Sequence, residues 1–317
     1  MLVSIIMPAK DVSGFIDETL ETIVKQTFED WELIAVDDHS QDDTLPKLKQ
    51  WSEIDSRIVV FENEGTGIIS ALQFGLSQVK GKFVTRMDAD DLMHERKISL
   101  MHDTLAESVD KTIITGKVKY FSSEPISEGY LKYEAWLNEI NERGNQWPNI
   151  YRECVIASPN WMMRTSELLE MGGFDDLQYP EDYHLTLKWY QNDFQIKCLP
   201  DITLLWREHP QRTSRNSEHY DQKHFFELKI RHFLEFEWNE ELIIVWGKNV
   251  KQKLTTDILK ANNVPFEIIE LAEYQKIEVF QESQLLVSVY PEMVQREALE
   301  IYLEKICRKQ GEDWWYL

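Results

Sequence analysis

From Leu2 to Asp91, short and nearly continuous apolar runs alternate with stretches of helical periodicity. Leu2 to Met7 has the pattern of a strand buried on both faces, and Pro8 ends it because proline cannot donate to the ladder. The loop PAKDVS follows, with Ser13 as the expected N-cap of a helix from Gly14 to Gln26 whose inward face is Leu20, Ile23, Val24 and Thr27. Trp31 to Val36 predicts a second buried strand, and Asp42 or Asp43 should cap the next helix, which runs through Leu48 and Trp51. Residues 57–62 (RIVVFE) predict a third strand, then NEGTG and a helix through Ala71, Leu72 and Leu76. Phe83, Val84 and Met87 lie on a fourth strand that runs into Asp88, Asp90 and Asp91. Alternating strands and helices imply an α/β fold with a doubly wound, mostly parallel sheet and right-handed crossovers.

Beyond that point the pattern loosens. Residues 113–121 (IITGKVKYF) predict a further strand, and the stretch to Cys154 is helical in part. WMMR (161–164) predicts a strand before a helix ending at Met171, with Gly172 and Gly173 supplying the backbone where it stops. Pro180 opens the next helix, and TLLWREHPQRTSRNS (203–217) reads as a strand and a polar loop. After a helical stretch (219–238) the pattern resets: strands at 242–246, 265–269 and 285–290 alternate with helices through Leu254 and Ile258 and around Ala298, Ile301 and Leu303. The expected organisation is a domain over 1–236, with halves of about 1–120 and 121–236, and a small half-Rossmann unit over 237–317. A dinucleotide fingerprint would place glycine at positions 249 and 252, where Asn249 and Gln252 stand; only Gly247 fits. Packing or homo-oligomerisation is therefore the role expected of this unit.

Composition narrows the function classes. The chain has 317 residues, 43% hydrophobic and 28% charged, which suits a sizeable core. A net charge of −22 excludes a phosphate-backbone footprint, so no nucleic-acid partner is expected, and it disfavours docking on anionic lipid. Cys154, Cys198 and Cys307 lack metal or disulfide spacing, and buried thiols are the default reading. The N-terminal run lacks a basic leader, and no apolar run reaches the length of a membrane span. The expected location is cytoplasmic.

Chemistry concentrates at strand tips. The first strand runs into Asp11, the second into Asp37 and Asp38, and the fourth into Asp88, Asp90 and Asp91. Carboxylates this close repel one another, and a hard cation with oxygen ligands, Mg²⁺ or Mn²⁺, shared with a phosphate-bearing ligand would compensate. An exposed acidic turn capping the next helix is the plain alternative.

SIIMPAKD, QTFEDWELIAVDDHSQDDT and RMDADD, in that order, resemble the nucleotide-binding half of family 2 glycosyltransferases with the GT-A fold, over roughly the first 215 residues. The resemblance implies a hexosyl-type transferase using a nucleotide-diphosphate sugar, with UDP the expected carrier, and a carbohydrate or glycolipid acceptor in surface polysaccharide or glycoconjugate synthesis. It places Pro8, Ala9 and Asp11 along the nucleoside, although many members carry Asn at the position of Asp11. Asp38 would accept a hydrogen bond from the uracil ring, Asp88 would lie against the ribose, and Asp90 would ligate the cation, with Asp91 orienting its neighbours or capping a helix at Leu92. Arg86 reads as a counter-ion for these acids.

GGFDD followed by PEDYHLTLKWY resembles the family's base-bearing block. Acid in the first turn of a helix is favourable by itself; the resemblance instead makes Asp182 the catalytic base, with Glu181 holding the acceptor or the helix end. The base must lie within hydrogen-bond reach of the acceptor hydroxyl, and one base without a partner nucleophile implies inversion. Arg207 and His209 are candidates for the pyrophosphate or metal, and Trp161, like Trp147, for stacking on a sugar. Two rivals remain: a nucleotidyltransferase, against which stands the lack of a Gly-rich basic loop after the first strand, and a non-catalytic nucleotide-sugar-binding protein.

Overall fold

The most continuous apolar runs form strands covered on both faces, whereas the run Ile58–Glu62 is mostly half-buried. In the computed structural model, which describes residues 1–174, 179–270, 282–288 and 293–317, β1 (Val3–Ala9) and β2 (Trp31–Asp37) are buried at nearly every position. Helices α1 (Ile16–Val24), α2 (Thr44–Ile54) and α3 (Ile68–Ser77) alternate with these strands, with β3 (Ile58–Glu62) and with β4 (Phe83–Arg86). Then come β5 (Leu92–Met93), α4 (Lys97–Ala106), β6 (Thr112–Phe121), α5 (Glu128–Arg143), β7 (Trp161–Arg164), α6 (Thr165–Glu170), α7 (Glu181–Gln191), β8 (Gln195–Arg207), and α8 (Thr213–Asn216).

These elements build one unit, Met1–Gly144 with Ile156–Asn216, around an eight-stranded sheet of order β3-β2-β1-β4-β7-β6-β8-β5. The first four strands in that order are parallel, β7 is antiparallel to both neighbours, and β6 and β8 pair in parallel. Ala9 pairs with Asp37, Asp37 with Glu62 and Ile6 with Arg86, so the tips of β1 to β4 share one edge, where open parallel sheets place their ligands.

Three local expectations change. The first helix begins at Ile16 with Phe15 in the N-cap position and no side-chain cap, so Ser13 stands two residues too early to cap it; its amide donates to Asp42 Oδ2 at 2.9 Å. No helix starts at Leu92: β5 occupies that position, paired with β8, so Asp91 caps nothing there. Of the three cysteines only Cys154 is buried, and Cys307 is exposed. Gly172 and Gly173 do take positive φ (84° and 53°) where α6 ends.

The second unit joins Asn145–Val155 to Ser217–Leu317, so α9 (Gln222–Phe236) falls within it, whereas the boundary at 236 expected from sequence would put that helix in the first domain. It holds β9 (Ile243–Trp246), α10 (Val250–Ala261), β10 (Phe266–Ile269), β11 (Gln284–Val287), α11 (Met293–Lys305) and β12 (Trp314–Tyr316). Its four-stranded parallel sheet has the order β10-β9-β11-β12, with Ile244, Trp246, Leu285, Val287, Trp314 and Tyr316 in its core. The terminal aromatics are thus a strand. Asn249 caps α10 by accepting from the Gln252 amide at 2.9 Å, so both residues serve the helix start. The end of the strand expected over 285–290 and the acids of GGFDD lie outside the described residues. Among the described residues no helix is long and apolar enough to cross a membrane.

Candidate active site

The loops after β1 and β2 are laced together. Asp11, at φ 51°, receives the Gln41 amide at 2.6 Å and donates its own amide to Ser40. The Val12 amide donates to Thr44 Oγ1, and Ala9 O accepts from the Asp38 amide. Pro8 is half-buried beside them. Asp38 is buried and well supplied with donors: Oδ1 accepts from Asn63 Nδ2 at 2.7 Å and the Gly67 amide at 2.9 Å, while Oδ2 accepts Lys10 Nζ at 3.1 Å. Oδ2 also accepts the Gly67 amide at 3.1 Å, and of the groups around this carboxylate Lys10 is the half-exposed one.

At the tip of β4 the three aspartates separate into different surroundings. Asp88 accepts Arg86 Nε at 2.7 Å through Oδ1 and the Ser158 hydroxyl at 3.1 Å through Oδ2. Asp90 turns toward the end of β8, where its Oδ2 lies 2.9 Å from His209 Nε2 and its carbonyl accepts Arg207 Nε at 2.6 Å. Arg207 also reaches Glu18 and lies over the Phe15 and Phe121 rings. Asp91 is buried and accepts the Arg207 amide at 2.7 Å. Burial, followed by the charge of Asp90, holds its carboxyl well above the usual range, opposed by the Arg212 guanidinium.

Asp182 sits one residue into α7, with Pro180 as the N-cap. Its Oδ1 accepts the Tyr183 amide at 2.8 Å. Burial, then the charge of Glu181, push its carboxyl up to about 7 against the pull of Arg86. Glu181 is itself buried and accepts Arg86 Nη1 at 3.0 Å. A closed cleft with no room for a water molecule is lined by Arg86, Ser158, Trp161, Asp182, Thr186 and Trp189, among others. Trp161 is only 2% exposed and packs edge-on against Trp189 at 5.3 Å, so its indole forms a wall and offers no open stacking face. Trp147 falls in the second unit.

The fold therefore gathers the sequence candidates into three groups: Asp38 with the loop around Pro8, Ala9 and Asp11; Asp88 with Glu181 and Asp182; and Asp90 with Arg207 and His209. Several residues in these groups were not foreseen. Lys97 looks like a solvent-facing helix residue but is fully buried. Its Nζ donates to the Pro159 carbonyl, and burial lowers it to about 7 against the attraction of Asp91 and Asp88. Ser158, Asn63, Lys10 and Arg212 are polar loop residues whose approach to Asp88, Asp38 and Asp91 spans chain separations that periodicity does not report.

With this geometry in view, comparisons with known proteins are specific. The model of glycosyl transferase family 2 matches residues 4–170. An uncharacterised glycosyltransferase of Haemophilus influenzae is 29% identical over 231 residues, 69% of each chain. S. aureus TarS 1–349 in complex with UDP-GlcNAc superposes with a TM-score of 0.58 at 19% identity, over 82% of this chain and 72% of that one. The mannosyltransferase PcManGT of Pyrobaculum calidifontis, in complex with GDP-Man and Mn²⁺, gives 0.53 at 20%, over 82% and 68%. At such identities the two superpositions bear on the fold, which they place in the GT-A class. The family match covers more than half of the sequence, and on that ground the chain belongs to glycosyl transferase family 2 and is a glycosyltransferase.

Proposed function

We propose that the enzyme moves a sugar from a UDP-linked donor to an acceptor hydroxyl in a single displacement with inversion, using a divalent cation. The acceptor in this reading is a carbohydrate or glycolipid of surface polysaccharide or glycoconjugate synthesis, as the sequence resemblance implies. One observation carries the mechanism: Asp182, whose carboxyl burial and Glu181 raise to about 7, stands beside Arg86 and Ser158, the two residues that hold Asp88. Asp182 and Asp88 thus border the same two residues.

The donor set fits a cation shared with a diphosphate, which needs only one or two protein ligands because phosphate and water supply the rest. Among the described residues no cluster of three or more metal-binding side chains exists. Asp90 Oδ2 and His209 Nε2, 2.9 Å apart, have the spacing of adjacent ligands in an octahedron with bonds of about 2.1 Å. Mg²⁺ or Mn²⁺ would be held by Asp90 and His209, and when bound it supplies Lewis-acid stabilisation of charge on the leaving diphosphate. Asp38 Oδ2 receives the ring N–H of the base, next to Pro8, Ala9 and Asp11; Asp88 faces the ribose. Asp182 takes the proton of the attacking hydroxyl, so it acts ionised. Glu181 acts through Arg86, and Arg207 holds the Asp90 loop.

Calorimetric titration of UDP with and without Mn²⁺ tests the reading. Binding should tighten at least about tenfold with the metal, and Asp90→Ala should abolish that gain, a difference of about 1.4 kcal/mol. Equal affinity with and without metal would remove the cation from the mechanism.

A further inference from the structure

One side chain joins the donor motif to the base-bearing helix. Arg86 is the last residue of β4 and is only 4% exposed. Its Nε donates to Asp88 Oδ1 at 2.7 Å, and its Nη1 donates to Glu181 Oε1 at 3.0 Å, across 95 residues of sequence. Glu181 opens α7, so its carboxylate fixes where the first turn of that helix sits, and Asp182 is the next residue along it. The guanidinium is planar and holds its donors in a fixed fork, so the direction of one bond constrains the other. Arg86 also lines the cleft beside Asp182.

We propose that Arg86 is a positioning residue that couples the two halves of the reaction: it holds the first turn of α7, and with it Asp182, at a set distance from the acid that faces the donor. The proposal rests on the reading of Asp182 as base and Asp88 as donor-side acid. It goes beyond counter-ion chemistry, because a counter-ion alone can be removed together with its partner at no catalytic cost.

That difference is what the experiment measures. UDP and Mn²⁺ affinity would be followed by calorimetry, and turnover as UDP release from UDP-GlcNAc by transfer to water, in R86M, R86K, E181Q and the double variant R86M/E181Q. R86M removes the guanidinium that the buried Glu181 accepts from and should melt earlier; the double variant removes both charges and should regain much of the melting temperature. On this proposal kcat falls at least tenfold in R86M and E181Q, the double variant falls no further than the worse single one, and R86K recovers part of the loss. The KM for donor stays within about twofold throughout. A double variant with wild-type kcat, or single losses that multiply, would overturn it. So would an R86M whose only change is a raised donor KM. Hydrogen exchange over Glu181–Gln191 gives a readout that needs no turnover: R86M should speed it about tenfold, and unchanged exchange also overturns the proposal. If D182N keeps wild-type turnover, the reading of Asp182 as base fails and the coupling of the two reaction halves fails with it, while faster exchange in R86M would still show that Arg86 holds the first turn of α7.

Discussion

Asp182 shows how much one environment decides at the scale of a residue. An aspartate in the first turn of a helix is ordinarily favoured there by the positive terminus. Here burial and the neighbouring Glu181 outweigh that benefit and lift its carboxyl to about 7. Two consequences follow with opposite signs. A base must be ionised, so kcat/KM should rise about tenfold per pH unit below pH 7 and level off above it. D182N should remove that limb along with at least a hundredfold of turnover, a general base contributing about 10²–10⁴, while UDP affinity with Mn²⁺ stays within about twofold. Stability runs the other way. A carboxyl whose folded pKa lies above its unfolded value binds its proton more tightly when folded, so stability falls as pH rises from about 4 through 7. D182N should therefore raise the melting temperature more at pH 8 than at pH 5, and a variant less stable than wild type at pH 8 would contradict the assigned environment. None of this was legible in PED as a string, because desolvation depends on Trp161, Leu185 and Trp189 around it.

Among the elements, legibility followed burial. The four strands from Val3 to Arg86 and the helices between them were readable because each carries a continuous apolar run or a single apolar face, and the packing uses that pattern unchanged. The helix α3 adds a close approach that only the fold reveals: a Cβ built on Gly75 would lie 2.6 Å from Ile6 Cγ2 of β1. G75A should lower stability by about 1–3 kcal/mol through overpacking, measured by urea unfolding, despite the better helix propensity of alanine. The pairing of β5 with β8 was not readable, since two residues carry no periodicity and their partners stand more than a hundred positions away. That pairing is what brings Arg207 and His209 to Asp90, so the weakest element in sequence terms positions one of the three site clusters.

Over the whole molecule, the net charge of −22 opposes an anionic nucleotide, and on the proposed reading a bound cation and backbone amides at the strand tips would offset it locally. Without metal, the affinity for UDP should rise about twofold between 50 and 300 mM salt as repulsion is screened, and with Mn²⁺ it should change in the opposite sense. Affinity falling steeply with salt in both cases would mean that a positive surface guides the ligand. The sequence by itself determined the alternation of strands and helices, the parallel half of the large sheet and the acids at its tips, because burial of apolar runs and the polarity of loops are local properties that composition and spacing express. The tertiary structure alone decided which carboxylate meets which partner. As a string RMDADD puts three acids within four positions, and only the fold gives Asp88 to Arg86 and Ser158, Asp90 to His209, and Asp91 to the buried interior near Arg212 and Lys97. Charge and desolvation act over a few ångströms of space, whatever the separation along the chain.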